Sequence, residues 1–178
     1  MNSFYSQSEL EILGFQSVGN NVKISRKASF YDITRIRIGH NVRIDDFCIL
    51  SGQITLGDNI HISAYSALYG AKGIEIHDYS GLSPRSTIFS AMDDFSGEYL
   101  IGPIHSPETI NVTGGKVVIE RYCQIGAGSI IFPNLKIGEG SVVGSMSLVN
   151  KSLEPWGIFA GIPVRLLKER KKNLLKFI

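Results

Sequence analysis

The residues best equipped for chemistry crowd one stretch, Ala91 to Val117, which holds carboxylates, hydroxyls, aromatics and one histidine. Asp93 and Asp94 are adjacent there. An ordinary aspartate, with a pKa near ~3.9, is a weak base, but two carboxylates facing one site raise one another's pKa. His105, between Pro103 and Pro107, is the competing proton acceptor. A second acidic pair, Asp45 and Asp46, falls within the regular part of the chain and reads as a pair of corner residues.

A long irregular stretch needs a rigid frame to position it, and its length alone draws suspicion of function. The frame is a repeat. Stepping by six gives Val18, Ile24 and Phe30, then Ile38, Ile44, Leu50, Leu56, Ile62 and Leu68, then Ile76, Leu82 and Ile88. The pattern breaks at Ala91 and resumes as Ile119, Ile125, Ile131, Ile137, Val143 and Val149. A small residue or valine often follows four places later, as at Cys48, Ser66, Ser86, Cys123, Ser129 and Ser147. No α-helix has a period of six, and a simple half-buried strand has a period of two. Six means a short strand plus a corner, three to a coil, with aliphatic rungs stacked inside.

The chain of 178 residues, 43% hydrophobic, suffices for one domain. The expected architecture is all-β: about six coils over residues 18–90 and 118–153, with the loop 91–117 between them. A short N-terminal helix is expected at Ser8 to Leu13, capped by a serine and closed by Gly14. A basic amphipathic helix is expected over about 164–177, with Pro163 at its start. Cys48 and Cys123 fall in different coils, too far apart to bridge, and read as buried free thiols suited to a reducing compartment.

The unit of an aliphatic residue, often Gly, two free positions and a small residue resembles the hexapeptide-repeat family of left-handed parallel β-helices, over Val18 to Val149. The ending is similar to that of the galactoside, maltose and xenobiotic acetyltransferases. The matching segments are Ile125-Gly126-Ala127-Gly128-Ser129, Val143-Gly144-Ser145 and Ala160-Gly161-Ile162-Pro163-Val164-Arg165. The resemblance implies acetyl-CoA as acyl donor, with Gly126, Ala127, Gly144, Ser145, Asn150 and Gly161 along its pantetheine arm. It implies Arg165 and Lys168 at the phosphates. It also implies a homotrimer with sites between subunits. Those enzymes place a catalytic histidine seventeen residues beyond the aliphatic residue that opens the fourth coil. Counted from Ile76 that position is Asp93, a departure that leans toward an amine acceptor, because an amine need only lose its ammonium proton before attack. The string Asp93 to Tyr99 resembles a subgroup found in polysaccharide biosynthesis. The implied activity is therefore acetylation of an amino or hydroxyl group of a sugar or nucleotide sugar, in surface polysaccharide synthesis.

Two rivals use the same fold. A γ-class carbonic anhydrase needs three histidines on one zinc. Here His40, His61 and His77 stand two, five and one past their aliphatic residues, in no common column, so no metal is expected. A non-catalytic scaffold gives no reason for the long loop or the Gly-Ile-Pro-Val-Arg ending. The net charge of +2 argues against a nucleic-acid partner. No stretch reaches the ~18 apolar residues of a membrane span, and Met1 to Glu11 lacks the pattern of a signal peptide, so a cytoplasmic location is expected. The sequon at Asn111 is read as chance.

Overall fold

The computed structural model describes residues 3–178. Its frame is a left-handed parallel β-helix of about seven turns, a three-faced prism in which each coil sits in register on the last. The first face stacks Val18, Ile38, Leu56, Ile76, Ile119 and Ile137. The second stacks Ile24, Ile44, Ile62, Leu82, Ile125 and Val143. The third stacks Phe30, Leu50, Leu68, Ile88, Ile131 and Val149. All eighteen expected rungs fall into these columns, and all but the outermost pair, Val18 and Phe30, are fully buried. Leu153 and Phe159 add a seventh, partial turn beneath the first two columns. Each buried aliphatic side chain contributes roughly 1.5–3 kcal/mol of burial, which is what makes a prism of two-residue strands stable.

The small inward positions satisfy the corners. Ser86, Ser129 and Ser147 are buried, and their hydroxyls donate to the carbonyls of Ser83 and Gly144 at 2.8–2.9 Å. Among the described residues no buried side-chain nitrogen or oxygen lacks a partner. Cys48 and Cys123 are free and buried at different corners, and burial pushes their thiols up to about 11 and about 12. Neither is a nucleophile near neutral pH.

The corner after the first face takes a left-handed residue three places after each of its six rungs. In its early coils Asn21, Asn41 and Asn59 fill it, the non-glycine type that tolerates it best. Their amides form a ladder, Asn21 Nδ2 to Asn41 Oδ1 at 2.8 Å and Asn41 Nδ2 to Asn59 Oδ1 at 2.6 Å. Farther along the same corner the rings of Tyr79 and Tyr122 stack at 5.7 Å. Gly140 follows, and a Cβ there would lie 2.5 Å from the Trp156 ring.

The N-terminal helix spans Gln7–Ile12, with Ser6 as N-cap in a capping box with Glu9 and Gly14 at φ +95° just beyond it. The expected C-terminal helix does not exist. Arg165–Glu169 is a strand, antiparallel to Gly157–Ala160, followed by a 3-10 turn over Asn173–Phe177. The spacing of basic and apolar residues fits a helix, but the open backbone edge of Gly157–Ala160 offers hydrogen bonds that an isolated helix on the surface could not match. Arg170 then locks the hairpin down. Its N–H donates to the Trp156 carbonyl at 2.7 Å, and its guanidinium donates to the carbonyls of Tyr122 at 2.6 Å and Gly140 at 2.8 Å. Replacing Arg170 by Ala is therefore expected to cost about 1–3 kcal/mol, seen as a Tm lowered by several degrees. An unchanged Tm would show that the clamp contributes nothing to stability.

Candidate active site

Among the described residues the one long interruption of the prism leaves after the rung Ile88 and returns before Ile119, at the corner between the third and first faces. It is not the structureless loop that its composition suggests. Ala91–Asp93 pairs antiparallel with Val112–Gly114, making a two-stranded arm, and Leu100 bridges to Ile110 farther out. The core is unaffected by the arm, since Ile76 stacks directly on Ile119 and Ile88 on Ile131.

The two aspartates at the arm's root have different duties. Asp94 is a latch. Its carboxylate accepts from the Ser96 N–H at 2.7 Å and from Asn111 Nδ2 at 2.9 Å, and its own N–H donates to the Asn111 carbonyl at 2.9 Å. The Ser96 backbone, then its side chain, then Asn111 hold the carboxyl below its ordinary pKa. The expected mutual raising of the pair thus fails at Asp94, because hydrogen bonds to the charged form outweigh desolvation. Asp93, half-buried and paired with Val112, lines an apolar hollow of about 220 Å³ with Phe89, Ala91, Met92 and Phe95. Phe89 in turn stacks on Tyr69 at 5.2 Å. His105 stands in the outer part of the arm, beyond the Leu100–Ile110 bridge, with no contact to either aspartate.

The small residues near the end of the chain stack at another corner, between the second and third faces. Gly126-Ala127, Gly144-Ser145 and Ala160-Gly161 follow Ile125, Val143 and Phe159 in successive coils. A Cβ on Gly126 would lie 2.5 Å from the Ser145 nitrogen, and one on Gly144 would lie 2.9 Å from the Ala160 Cβ. The result is a strip of wall almost without side chains. Arg165 pairs with Ala160 at its lower end, and Lys168 pairs with Ile158 farther along the same strand. Both cations are exposed. Asn150 is not on this strip; it follows the rung Val149 at the arm's corner, two coils below the arm.

Asp45 and Asp46 are tied off as corner residues. Asp45 accepts from Arg43 at 2.7 Å and pairs with His61 at 2.7 Å, while Asp46 accepts from Ser25 and Lys27. Among the described residues no group of three or more His, Cys, Asp or Glu could hold a metal ion. No helix among them is long and apolar enough to cross a membrane. The Asp94 latch and the Arg170 clamp had no signal in the sequence beyond residue type.

A hexapeptide-repeat β-helix with one protruding arm and a bare strip of small residues defines the class: the chain belongs to the hexapeptide-repeat acyltransferase family, and it is an acyltransferase. It is 41% identical over 177 residues to the dTDP-4-amino-4,6-dideoxy-D-glucose acyltransferase of Escherichia coli, covering 98% of this chain and 92% of that one. Among solved structures it superposes with a TM-score of 0.97 on AntD, an N-acyltransferase from Bacillus cereus, in complex with dTDP and 3-hydroxybutyryl-CoA. That match is at 54% identity, over 99% of this chain and 95% of that one. A variant of AntD holding dTDP-4-amino-4,6-dideoxyglucose and coenzyme A matches at 53% identity with the same TM-score, over 99% of this chain and 95% of that one. No family model matches the chain.

The Asp94 latch has a pH signature. A depressed carboxyl pKa means that the contact stabilises the arm fully above the usual aspartate range near ~3.9 and is lost as pH falls through the depressed value. The protection of the Ser96 and Leu100 amides, measured against their intrinsic exchange rates, is expected to stay flat from pH 8 to pH 5 and to fall in acid. Asp94→Ala should show fast exchange at every pH. Equal protection in the variant would remove the latch.

Proposed function

We propose that the protein transfers an acyl group, acetyl in the first instance, from coenzyme A to the amino group of a nucleotide-linked amino sugar. The likeness over 99% of the chain to an N-acyltransferase crystallised with dTDP-4-amino-4,6-dideoxyglucose and coenzyme A carries this reading. An aspartate, rather than a histidine, at the root of the arm agrees with it. The acceptor arrives as an ammonium ion, which a carboxylate attracts and can deprotonate. In this reading Asp93 takes that proton and the freed nitrogen attacks the thioester carbonyl carbon. The tetrahedral intermediate then collapses with cleavage of the C–S bond, and coenzyme A leaves as a thiolate and is protonated. The apolar hollow beside Asp93 receives the deoxygenated face of the sugar.

The bare strip Gly126-Ala127, Gly144-Ser145 and Gly161 would hold the pantetheine arm, with Arg165 and Lys168 at the phosphates and Asn150 beside the arm's corner. Within one chain the strip and Asp93 stand at different corners, separated by the whole third face. A complete site therefore asks for a second subunit whose arm corner faces this strip. The closed arrangement that supplies every chain with one such neighbour around a prism is a trimer, working in the cytoplasm.

Turnover of acetyl-CoA and of longer acyl-CoAs against a panel of nucleotide amino sugars and simple glycosides tests the reading. N-acylation of a nucleotide amino sugar is expected, and acylation of simple glycosides alone would overturn it. Asp93→Asn is expected to lower kcat/KM by about 10²–10⁴-fold, partly recovered as pH rises and the amine loses its proton unaided. Near-wild-type activity would end the role given to Asp93. Arg165→Ala is expected to raise KM for acetyl-CoA by about tenfold with kcat nearly unchanged, and Lys168→Ala by less, because contacts far from the thioester bind ground and transition states alike. A fall in kcat at constant KM would misplace the phosphates.

A further inference from the structure

On the first face, beginning at the foot of the arm, a polar groove of about 360 Å³ is lined by Gln16, Thr34, Arg35, Arg37, Gln53 and Thr55. It continues into a second hollow of about 480 Å³, which shares Thr55 and Glu75 and adds His77 and the ion pair of Asp78 with Arg121 at 3.0 Å. Registry builds the groove: Arg37, Thr55 and Glu75 are Cα partners on adjacent coils and project outward between buried rungs. The charges in it are unequally occupied. Glu75 is paired at 2.6 Å with Lys116, which stands where the arm rejoins the prism. Arg35 makes only a long 3.3 Å contact to Asp32 and donates to Gln53 at 3.2 Å. Arg37 is exposed and, among the described residues, has no hydrogen bond or ion pair.

Two guanidinium groups two residues apart, two amides and two hydroxyls, with the lining carboxylates Glu75 and Asp78 already paired with Lys116 and Arg121, suit a ligand with several phosphate oxygens. Together with the adjoining hollow, the volume falls in the range of a small-molecule site. We propose that this groove seats the nucleoside diphosphate of the acyl acceptor, with Arg37 as its main phosphate ligand and the nucleoside running toward His77. This deepens the acceptor reading above and rests on it. Coenzyme A also carries a diphosphate, but the strip assigned to it lies elsewhere. Arg37 is on the second coil of the first face and Ser145 on the sixth, at another corner. Four coils at ~4.8 Å place them roughly 19 Å apart along the axis. The groove instead adjoins the arm that carries Asp93, through Lys116.

The test compares wild type, Arg37→Gln and Arg37→Lys in two measurements: KM for the nucleotide amino sugar and for acetyl-CoA, and calorimetric binding of thymidine diphosphate alone. Arg37→Gln is expected to weaken both the acceptor KM and thymidine diphosphate binding by about tenfold or more, with the acetyl-CoA KM unchanged and Arg37→Lys in between. Normal acceptor KM in an active Arg37→Gln enzyme would overturn the groove and leave the acyltransferase reading standing. A rise confined to the acetyl-CoA KM would overturn it too, by making this the donor's phosphate site. If wild type acylates no nucleotide amino sugar, the acceptor reading fails, and thymidine diphosphate decides alone. Binding that depends on Arg37 keeps the groove, and binding indifferent to Arg37, or none, removes it.

Discussion

Registry is the constraint from which the rest of this molecule follows. Each rung sits above the same rung of the next coil, so any outward position is repeated above and below at the strand spacing of ~4.8 Å. Such a stack makes walls with no relief beyond shallow grooves between outward side chains, as at Arg37, Thr55 and Glu75. Other concave or reactive places arise where the stack is altered without breaking its phase. This chain alters it in two ways, by omitting side chains at Gly126, Gly144 and Gly161 and by inserting an arm between Ile88 and Ile119. The insertion is tolerated because Ile76 still meets Ile119 and Ile88 still meets Ile131. The core closes over the gap, and the arm is free to carry chemistry.

The same constraint explains what could be read from the sequence. A period of six, held through eighteen rungs, reports geometry directly, because each rung must be apolar for its coil to close. The capped helix at Gln7–Ile12 was legible for a similarly local reason, a serine and a glutamate three apart satisfying the first turn. The C-terminal segment was not legible. Leu166, Leu167, Leu174 and Leu175 among lysines look amphipathic at helical spacing, yet what decides their conformation is the unpaired edge of Gly157–Ala160, which no local pattern announces. Arg170 is part of the same lesson: its partners are carbonyls 30 and 48 residues away.

At the site, counting led to Asp93 at the root of the arm, but residue type could not say how its neighbour Asp94 differs in duty. The strand pairing of Ala91–Asp93 with Val112–Gly114 divides them, turning Asp94 back onto Ser96 and Asn111 and leaving Asp93 beside the apolar hollow. The family resemblance grouped Asn150 with the bare strip, whereas the fold puts it at the arm's corner, because a residue's corner is set by which rung it follows.

That division of corners carries the last step. Donor strip and acceptor arm belong to different edges of one prism, so no bending of the arm root, fixed by a strand pair and a latched carboxylate, can bring Asp93 across the third face. In the proposed reaction, which needs both, one of them comes from another chain. A rigid solenoid then gains what it lacks alone, a site closed to water on two sides, without giving up the registry that keeps it folded. The arrangement also divides labour by height. The late coils, thinned of side chains, suit a long flexible donor, while the early coils of the first face, with Arg35 and Arg37, suit a short anionic handle on the acceptor. The arm stands between them, and in the proposed reaction the amine meets the thioester there.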